Sequence, residues 1–93
     1  MEKKLKGFRK RIDAIDRTLV RILAQRMKVS ERIGKLKKAY GVPVIQKNRW
    51  NIVVSSRLMQ ARRLGLDPAV VNKIFKEIHS GSIAVQKRIM RKR

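Results

Sequence analysis

Apolar side chains recur three and four residues apart through the first forty residues of the chain, and this periodicity constrains the fold more than any other feature. The apolar positions are Leu5, Phe8, Ile12, Ile15, Leu19, Ile22, Val29, Ile33, Leu36 and Tyr40. Such spacing predicts a single helix over about residues 5–40, which Gly41 and Pro43 would end. At about 1.5 Å per residue, that helix would be about 54 Å long.

A helix of this length does not fit inside a compact chain of 93 residues. Such a chain would have a radius of gyration of about 12 Å and a diameter of roughly 30 Å. The rest of the chain is too short to cover the whole apolar stripe. We therefore expect a second copy to pack along the first helix, and we predict an intertwined helical homodimer.

Two shorter helices are predicted after the long one, and no segment alternates like a half-buried strand. The second helix is expected over about residues 49–64, with Asn48 as its N-cap. The third is expected over about residues 68–90, where Asp67 is the N-cap and a proline follows at the first helical position. The whole chain, residues 1–93, is thus predicted to be a single all-α domain of three helices.

The chain is strongly basic, with 26 Lys and Arg against 6 Asp and Glu, a net charge of +20 and a pI near 11.8. Dense positive charge attracts polyanions, so a basic helical dimer that binds nucleic acid is one candidate function. However, the basic residues are spread from Lys3 to Arg93, and only four aromatic side chains are available to stack on bases. A solvated cationic surface explains the composition equally well, and adventitious polyanion binding would follow from it.

The sequence contains no cysteine, so it supports neither a disulfide nor a thiolate metal site. No apolar run approaches the roughly 20 residues of a membrane span, and residues 1–10 lack the apolar stretch of a signal peptide. We therefore expect a protein of the reducing cytoplasm without a membrane partner. The one histidine, His79, has no partner at metal-ligand spacing, so we interpret it as a packed or surface residue.

Polar residues occupy positions where the helical pattern expects core residues. Arg26 fills the one gap in the apolar stripe, and a buried permanent charge without an acidic partner is costly unless an anion is held against it. Lys37 follows about 20° around the same helix and roughly 16 Å along it. On the third helix, Ser82 and Gln86 lie one turn apart on the inward face. These four residues predict a pocket for a small anion. The reaction expected there needs no metal, cofactor or nucleophile.

Arg9 lies too far from Arg26 to join that pocket within one subunit. The two are roughly 100° apart around the helix and about 25 Å apart along it. In an antiparallel intertwined dimer, Arg9 could instead enter the site of the partner, and catalysis would then depend on association.

Several short motifs occur in order along the chain. They are FRKRIDAID at residues 8–16, LAQRM at 23–27, IGKLK at 33–37, VPV at 42–44 and IHSGSIAVQ at 78–86. In this order and at this spacing they resemble the all-helical class of chorismate mutases. The segment QKNRW at residues 46–50 is particularly similar to the mutase domains that some bacteria fuse to the first enzyme of the shikimate pathway.

The resemblance implies a domain-swapped dimer with two sites, each built mostly from one chain and completed by an arginine of the other. Arg9 matches that crossing arginine. The implied activity is the intramolecular rearrangement of chorismate to prephenate in phenylalanine and tyrosine biosynthesis, which requires no metal or cofactor.

The resemblance also implies a role for each matching residue. Arg26 would join Arg9 in binding the substrate carboxylates, and Ser82 would assist at a carboxylate. Arg49 would support the anionic end of the substrate or orient its neighbours. Lys37 and Gln86 match the pair that donates hydrogen bonds to the ether oxygen, so they are the predicted catalytic residues.

Two positions depart from the family pattern. Many family members carry a carboxylate at the position of Trp50, where it receives the substrate hydroxyl, and an aspartate at the position of Gln46. An indole is only a donor, so either a backbone carbonyl near Gln46 takes the hydroxyl or this subgroup binds it differently. We interpret Trp50 as a core aromatic of the second helix.

The isochorismate pyruvate lyases are an alternative, because they use the same helical fold and a similar cationic pocket for a nearly identical substrate. The long connector around residues 42–44 and the Arg49-Trp50 pair are more similar to the mutases.

Overall fold

The computed structural model describes residues 1–92, which contain three α-helices and no β-strand. These are α1 (Glu2–Tyr40), α2 (Arg49–Arg63) and α3 (Pro68–Arg91). They confirm the all-α, three-helix architecture, although α1 begins three residues earlier than the sequence predicts. Over the described range, no helix has both the length and the apolar character that a membrane span requires.

Local signals in the sequence account for where the helices end and begin. Gly41 adopts the left-handed conformation (φ 65°, ψ 29°), and the Val42 N–H donates to the Lys37 carbonyl at 2.9 Å, which closes α1. At the start of α3, the Asp67 carboxylate accepts a 2.9 Å hydrogen bond from a backbone N–H of the first turn. Asn48 occupies the N-cap position of α2, but its side chain makes no capping hydrogen bond there.

Helices α1 and α3 lie side by side and run in the same direction. A Cβ added at Gly34 would lie 3.1 Å from the Cα atom of Gln86, and one added at Gly81 would lie 3.3 Å from the Met27 side chain. The residue numbers of the contacting pairs therefore increase together along the two helices, as they do in a parallel pair. The two glycines allow this close approach, which brings polar side chains of α1 against those of α3.

Helix α2 packs against α3 in the opposite direction. The rings of Trp50 and His79 meet at a centroid distance of 4.9 Å, and the Arg57 guanidinium lies 5.8 Å from the centroid of the Phe75 ring. The residue numbers of the contacting pairs increase along α2 and decrease along α3, so the two helices are antiparallel. This arrangement is expected for two helices joined by a short turn. Helix α3 thus packs against both other helices.

The apolar stripe of α1 is not covered within the protomer. Its residues Phe8, Ile12, Ile15, Leu19 and Ile22 are all more than half exposed. The chain measures 58 × 28 × 15 Å, and its radius of gyration is 17.1 Å, against about 12 Å for a compact chain of this length. The overhang that the sequence predicts is therefore present.

The face that α1 buries against α3 is small and polar. Ser30 and Gly34 are the buried residues of this helix, and Arg26 and Lys37 are partly buried beside them. Arg26 therefore does not replace a core residue among the stripe side chains. It lies on the edge of the stripe that faces α3, at the wall of a cavity.

Candidate active site

A cavity of about 460 Å³ lies where α1, α2, α3 and the connector between α1 and α2 meet. This volume is within the range of about 300 to 1,000 Å³ that is typical of small-molecule sites. Its polar wall comprises Arg26, Ser30, Lys37, Gln46, Lys47, Arg49, Arg57, His79, Ser82 and Gln86. Apolar side chains, including Val53 and Ile83, form the rest of the wall.

Six of the seven site residues that the sequence predicts line this cavity. They are Arg26, Lys37, Gln46, Arg49, Ser82 and Gln86. Arg9 is the exception, because it is exposed on the N-terminal half of α1. Seventeen residues separate it from Arg26, which corresponds to about 25 Å along the helix.

A buried hydroxyl cluster holds the guanidinium of Arg26. The Arg26 Nη1 atom donates to Ser82 Oγ, and Ser30 Oγ donates to the same oxygen at 2.9 Å. Ser82 and Ser30 are only 5% and 4% exposed. Since Ser82 Oγ accepts two hydrogen bonds, its own hydrogen remains for a ligand, beside the free donors of the guanidinium.

Lys37 and Gln86 form a second polar cluster. The Lys37 ammonium donates to the Val44 carbonyl at 2.6 Å and to Gln86 Oε1 at 2.8 Å. Because an ammonium is only a donor, the Gln86 atom facing it must be the oxygen. The Gln86 amide N–H groups and the third ammonium hydrogen therefore lie close together and remain available to donate hydrogen bonds to a ligand. Gln86 is 6% exposed and rests on Gly34, so its position is fixed by packing.

The cavity is strongly positive. Five cationic side chains line it, from Arg26, Lys37, Lys47, Arg49 and Arg57, and no Asp or Glu does. Burial and the nearby charges of Arg57 and Arg49 lower the pKa of Arg26. Burial also lowers the pKa of Lys37. The negative charge of an anionic ligand would oppose both shifts, since it would favour the charged forms of two side chains that have no acidic partner in the cavity wall.

The ring side chains of Trp50 and His79 both line the cavity, which contradicts the interpretation of Trp50 as a core residue. Trp50, expected in the core, is half-buried and forms part of the cavity wall against His79. His79 is also half-buried and lines the cavity. Its pKa is lowered by burial, and further by the charges of Arg26, Arg49 and Lys37, so the imidazole is neutral near pH 7.

Sequence reasoning missed Ser30 and Arg57 as site residues. Ser30 follows Arg26 by one helical turn and therefore shares its face, which is a signal that the helical spacing contained. Arg57 follows Trp50 by seven residues and also shares its face. Its part in the cavity depends on how α2 packs on α3. Among residues 1–92, no group of three or more His, Cys, Asp or Glu side chains lies together as a metal ion would require.

Comparison with known proteins identifies relatives of this chain. It is 28% identical over 78 residues to the T-protein of Enterobacter agglomerans, covering 84% of this chain and 21% of that protein. It is 33% identical over 89 residues to the bifunctional chorismate mutase/prephenate dehydratase of Aquifex aeolicus, covering 91% of this chain and 24% of that protein. The chain thus spans about a quarter of such relatives or less.

A third relative is similar to the chain over nearly its full length. This is the 4-amino-4-deoxychorismate mutase of Streptomyces venezuelae, which is 27% identical over 89 residues, covering 96% of this chain and 86% of that protein. No solved structure matches the chain significantly. The family model described as "Chorismate mutase type II" matches residues 8–87. Because this match includes α2, most of α1 and α3 and the whole cavity wall, the chain belongs to the type II chorismate mutase family.

Proposed function

We propose that this chain catalyses the rearrangement of chorismate to prephenate in the cavity described above. The observation that carries the proposal is the pairing of two unused donors, from the Lys37 ammonium and the Gln86 amide, in a cavity lined by cations and by no carboxylate. Family membership supports the same activity. Chorismate is a small dicarboxylate, which matches the charge of the cavity.

The chemistry requires positioning and charge stabilisation. In the rearrangement one carbon–oxygen bond breaks while one carbon–carbon bond forms within the same molecule, so no nucleophile or proton acceptor takes part. The site must hold the enolpyruvyl arm over the ring and stabilise the negative charge that develops on the ether oxygen. Lys37 and Gln86 would donate to that oxygen together, one as a charged and one as a neutral donor.

The remaining polar residues suit the two carboxylates. Arg26 donates to Ser82, whose hydroxyl also accepts a hydrogen bond from Ser30, so the guanidinium is ordered before a ligand arrives. In our proposal Arg26 binds one carboxylate, the free hydrogen of Ser82 donates to it, and Arg49 supports the anionic end. Gln46 donates its amide to the Pro43 carbonyl at 2.8 Å, which leaves its side-chain oxygen as an acceptor for the substrate hydroxyl.

An intertwined homodimer is the second part of the proposal. The protomer exposes 7988 Å², about 2,400 Å² more than a compact chain of its mass would expose. A typical stable interface buries about 800 Å² per partner. The excess surface includes the apolar stripe of α1, which a second copy would cover. Arg9 projects from that half of α1, so the partner's copy of this residue would complete each cavity.

Disruption of the apolar stripe tests the dimer. We expect the protein to sediment at about twice its 10.9 kDa chain mass, because the stripe is too apolar to remain in water. Leu19→Asp places a charge in the stripe and should shift the protein to monomer with loss of activity. Met59→Asp is the matched control, because Met59 is similarly exposed, at 51% against 53% for Leu19, but lies on α2. A monomeric wild type with full activity would refute this part of the proposal.

The activity itself is tested by following the loss of chorismate absorbance, with prephenate and pyruvate measured as products. Prephenate without pyruvate is expected, and pyruvate would instead identify the lyase alternative.

Arg26→Ala should abolish the activity. The same variant should bind DNA as the wild type does, with affinity falling steeply as salt rises, because it removes one of 26 basic residues. Adventitious polyanion binding and a cytoplasmic location stay predictions of the sequence.

The pH dependence follows from the lowered pKa of Lys37. Burial disfavours its charged form, so the ammonium loses its proton below the ordinary value of 10.5. As the pH rises through this pKa, the site loses a charged donor and kcat/KM, which reports the free enzyme, should fall. The decline is measured between pH 7 and 10.5, and it should be absent from the residual rate of Lys37→Ala. A flat profile up to pH 10.5 in the wild type would contradict the role of this residue.

A further inference from the structure

We infer, on the basis of the proposed function, that this cavity distinguishes its substrates by charge at the polar ring substituent. It accepts a cyclic dicarboxylate whose third polar group is a neutral hydroxyl and rejects the analogue that carries an ammonium group at that position. The question arises because a relative similar over nearly its full length is named a 4-amino-4-deoxychorismate mutase. Relatives of this chain are therefore named for chorismate and for 4-amino-4-deoxychorismate, two compounds that differ at one ring substituent.

The distribution of charge carries this inference. The cavity has five cations, and the two carboxylates of the substrate can compensate only part of that charge. All six acidic side chains lie outside the cavity wall and are exposed. They are Glu2, Asp13, Asp16, Glu31, Asp67 and Glu77. An aliphatic amine is protonated near pH 7, so the amino analogue would bring a further positive charge into a site that offers no carboxylate to meet it.

The acceptors that the wall does offer are neutral. Gln46 has a free side-chain oxygen, since its amide nitrogen donates to Pro43. The His79 imidazole lies against Trp50 and is a second neutral acceptor. A hydroxyl needs only one such acceptor. An ammonium has three hydrogens and a full charge, and the nearby cations of α1 and α2 repel it.

The same cations act on His79. Burial is the main cause that lowers the pKa of His79, and the charges of Arg26, Arg49 and Lys37 lower it further. A group in the cavity that gains a proton is thus disfavoured by residues from two helices. A substrate ammonium in the same space would experience the same repulsion.

Trp50 is a position in the cavity wall at which a carboxylate can be introduced without removal of a cation. Its side chain is half-buried there and lies against His79, and the indole contact is lost equally in any polar replacement. Trp50→Glu introduces one carboxylate, and Trp50→Gln introduces a side chain that has the shape of glutamate but no charge. The difference between these variants therefore isolates charge from the loss of the indole ring.

The test measures kcat/KM for chorismate and for 4-amino-4-deoxychorismate with the wild type and both variants. The wild type should prefer chorismate at least tenfold. Trp50→Glu should narrow that preference at least tenfold, and Trp50→Gln should leave it within about threefold of the wild type. Equal rates for both substrates in the wild type, or equal effects of the two variants, would overturn the inference while leaving the mutase activity intact.

A chain that converts neither compound would instead refute the proposed function. In that case the dissociation constants of the two compounds, measured by calorimetry, still decide the inference. Binding of the hydroxyl compound at least tenfold more tightly than the amino compound would support charge discrimination, and equal affinities would overturn it.

Discussion

Lys37→Ala and Gln86→Ala are each expected to lower the turnover of chorismate at least a hundredfold. Removal of one preorganised donor to a developing oxyanion typically costs about 3 to 4 kcal/mol of transition-state stabilisation. The structure adds a reason for both losses to be large. The two side chains are hydrogen-bonded to each other at 2.8 Å, so either substitution removes one donor and also takes a hydrogen-bond partner from the other. The measurement is kcat from the loss of chorismate absorbance.

Lys38→Ala is the matched control for the lysine. Its ammonium donates to the Ile89 carbonyl at 3.3 Å, and its side chain is exposed and outside the cavity wall. We expect it to retain most of the wild-type rate. Thermal unfolding of Gln86→Ala separates a lost donor from a lost fold, because Gln86 packs on Gly34. A folded Lys37→Ala or Gln86→Ala variant with a near-normal rate would exclude the proposed mechanism.

The helices were predictable because each is specified by signals close in sequence. The left-handed Gly41 ends α1, and the Asp67 carboxylate with the following proline begins α3, as the sequence predicts. Asn48 shows the limit of such reasoning, since it stands at the right position but its side chain does not cap α2. The position of a helix end is therefore better determined by sequence than the contact that stabilises it.

The polar cluster was predictable because one helix fixes the relative directions of its own side chains. Arg26 and Lys37 share a face of α1, and Ser82 and Gln86 share a face of α3, whatever the helices pack against. That these faces meet is a result of packing at Gly34 and Gly81. Helical periodicity could identify both halves of the site, but the distance between them depended on interhelical contact.

The interpretation of Trp50 was wrong, and Arg57 was missed, for the same physical reason. Periodicity on α2 alone cannot say whether a half-apolar face meets a core or a cavity. In the structure this face turns toward α3, and the cavity lies at its edge, so Trp50 meets His79 and Arg57 meets Phe75. The five cations collected there keep the space polar, and a core interpretation of the indole fails.

The apolar stripe of α1 presents the converse problem. Its periodicity correctly predicts a long helix, but the stripe contributes little to the core of its own protomer. Such a surface is stabilised by whatever covers it, which no periodicity within one chain can identify. The proposed partner is a second copy of the chain, and each active site would then contain residues of both chains.

Mixing two inactive variants is expected to restore activity if each site takes residues from two chains. Arg9→Ala would leave every site without the partner's arginine, and Arg26→Ala would leave every site without its own. We expect each homodimer to lose at least a hundredfold in kcat/KM, since each substitution removes a charge-assisted contact to a substrate carboxylate. Arg17→Ala, which removes another exposed arginine two turns beyond Arg9, should remain active.

The two variants are unfolded, combined in equal amounts and refolded together, so that chains pair at random. Half of the dimers are then mixed, and each mixed dimer has one site with both arginines and one site with neither. The mixture should therefore recover about a quarter of the wild-type activity. Refolding each variant alone is the control for the procedure. If Arg9 acts only within its own chain, the mixed dimers contain no complete site, and the absence of recovery would refute the shared site even if the protein is a dimer.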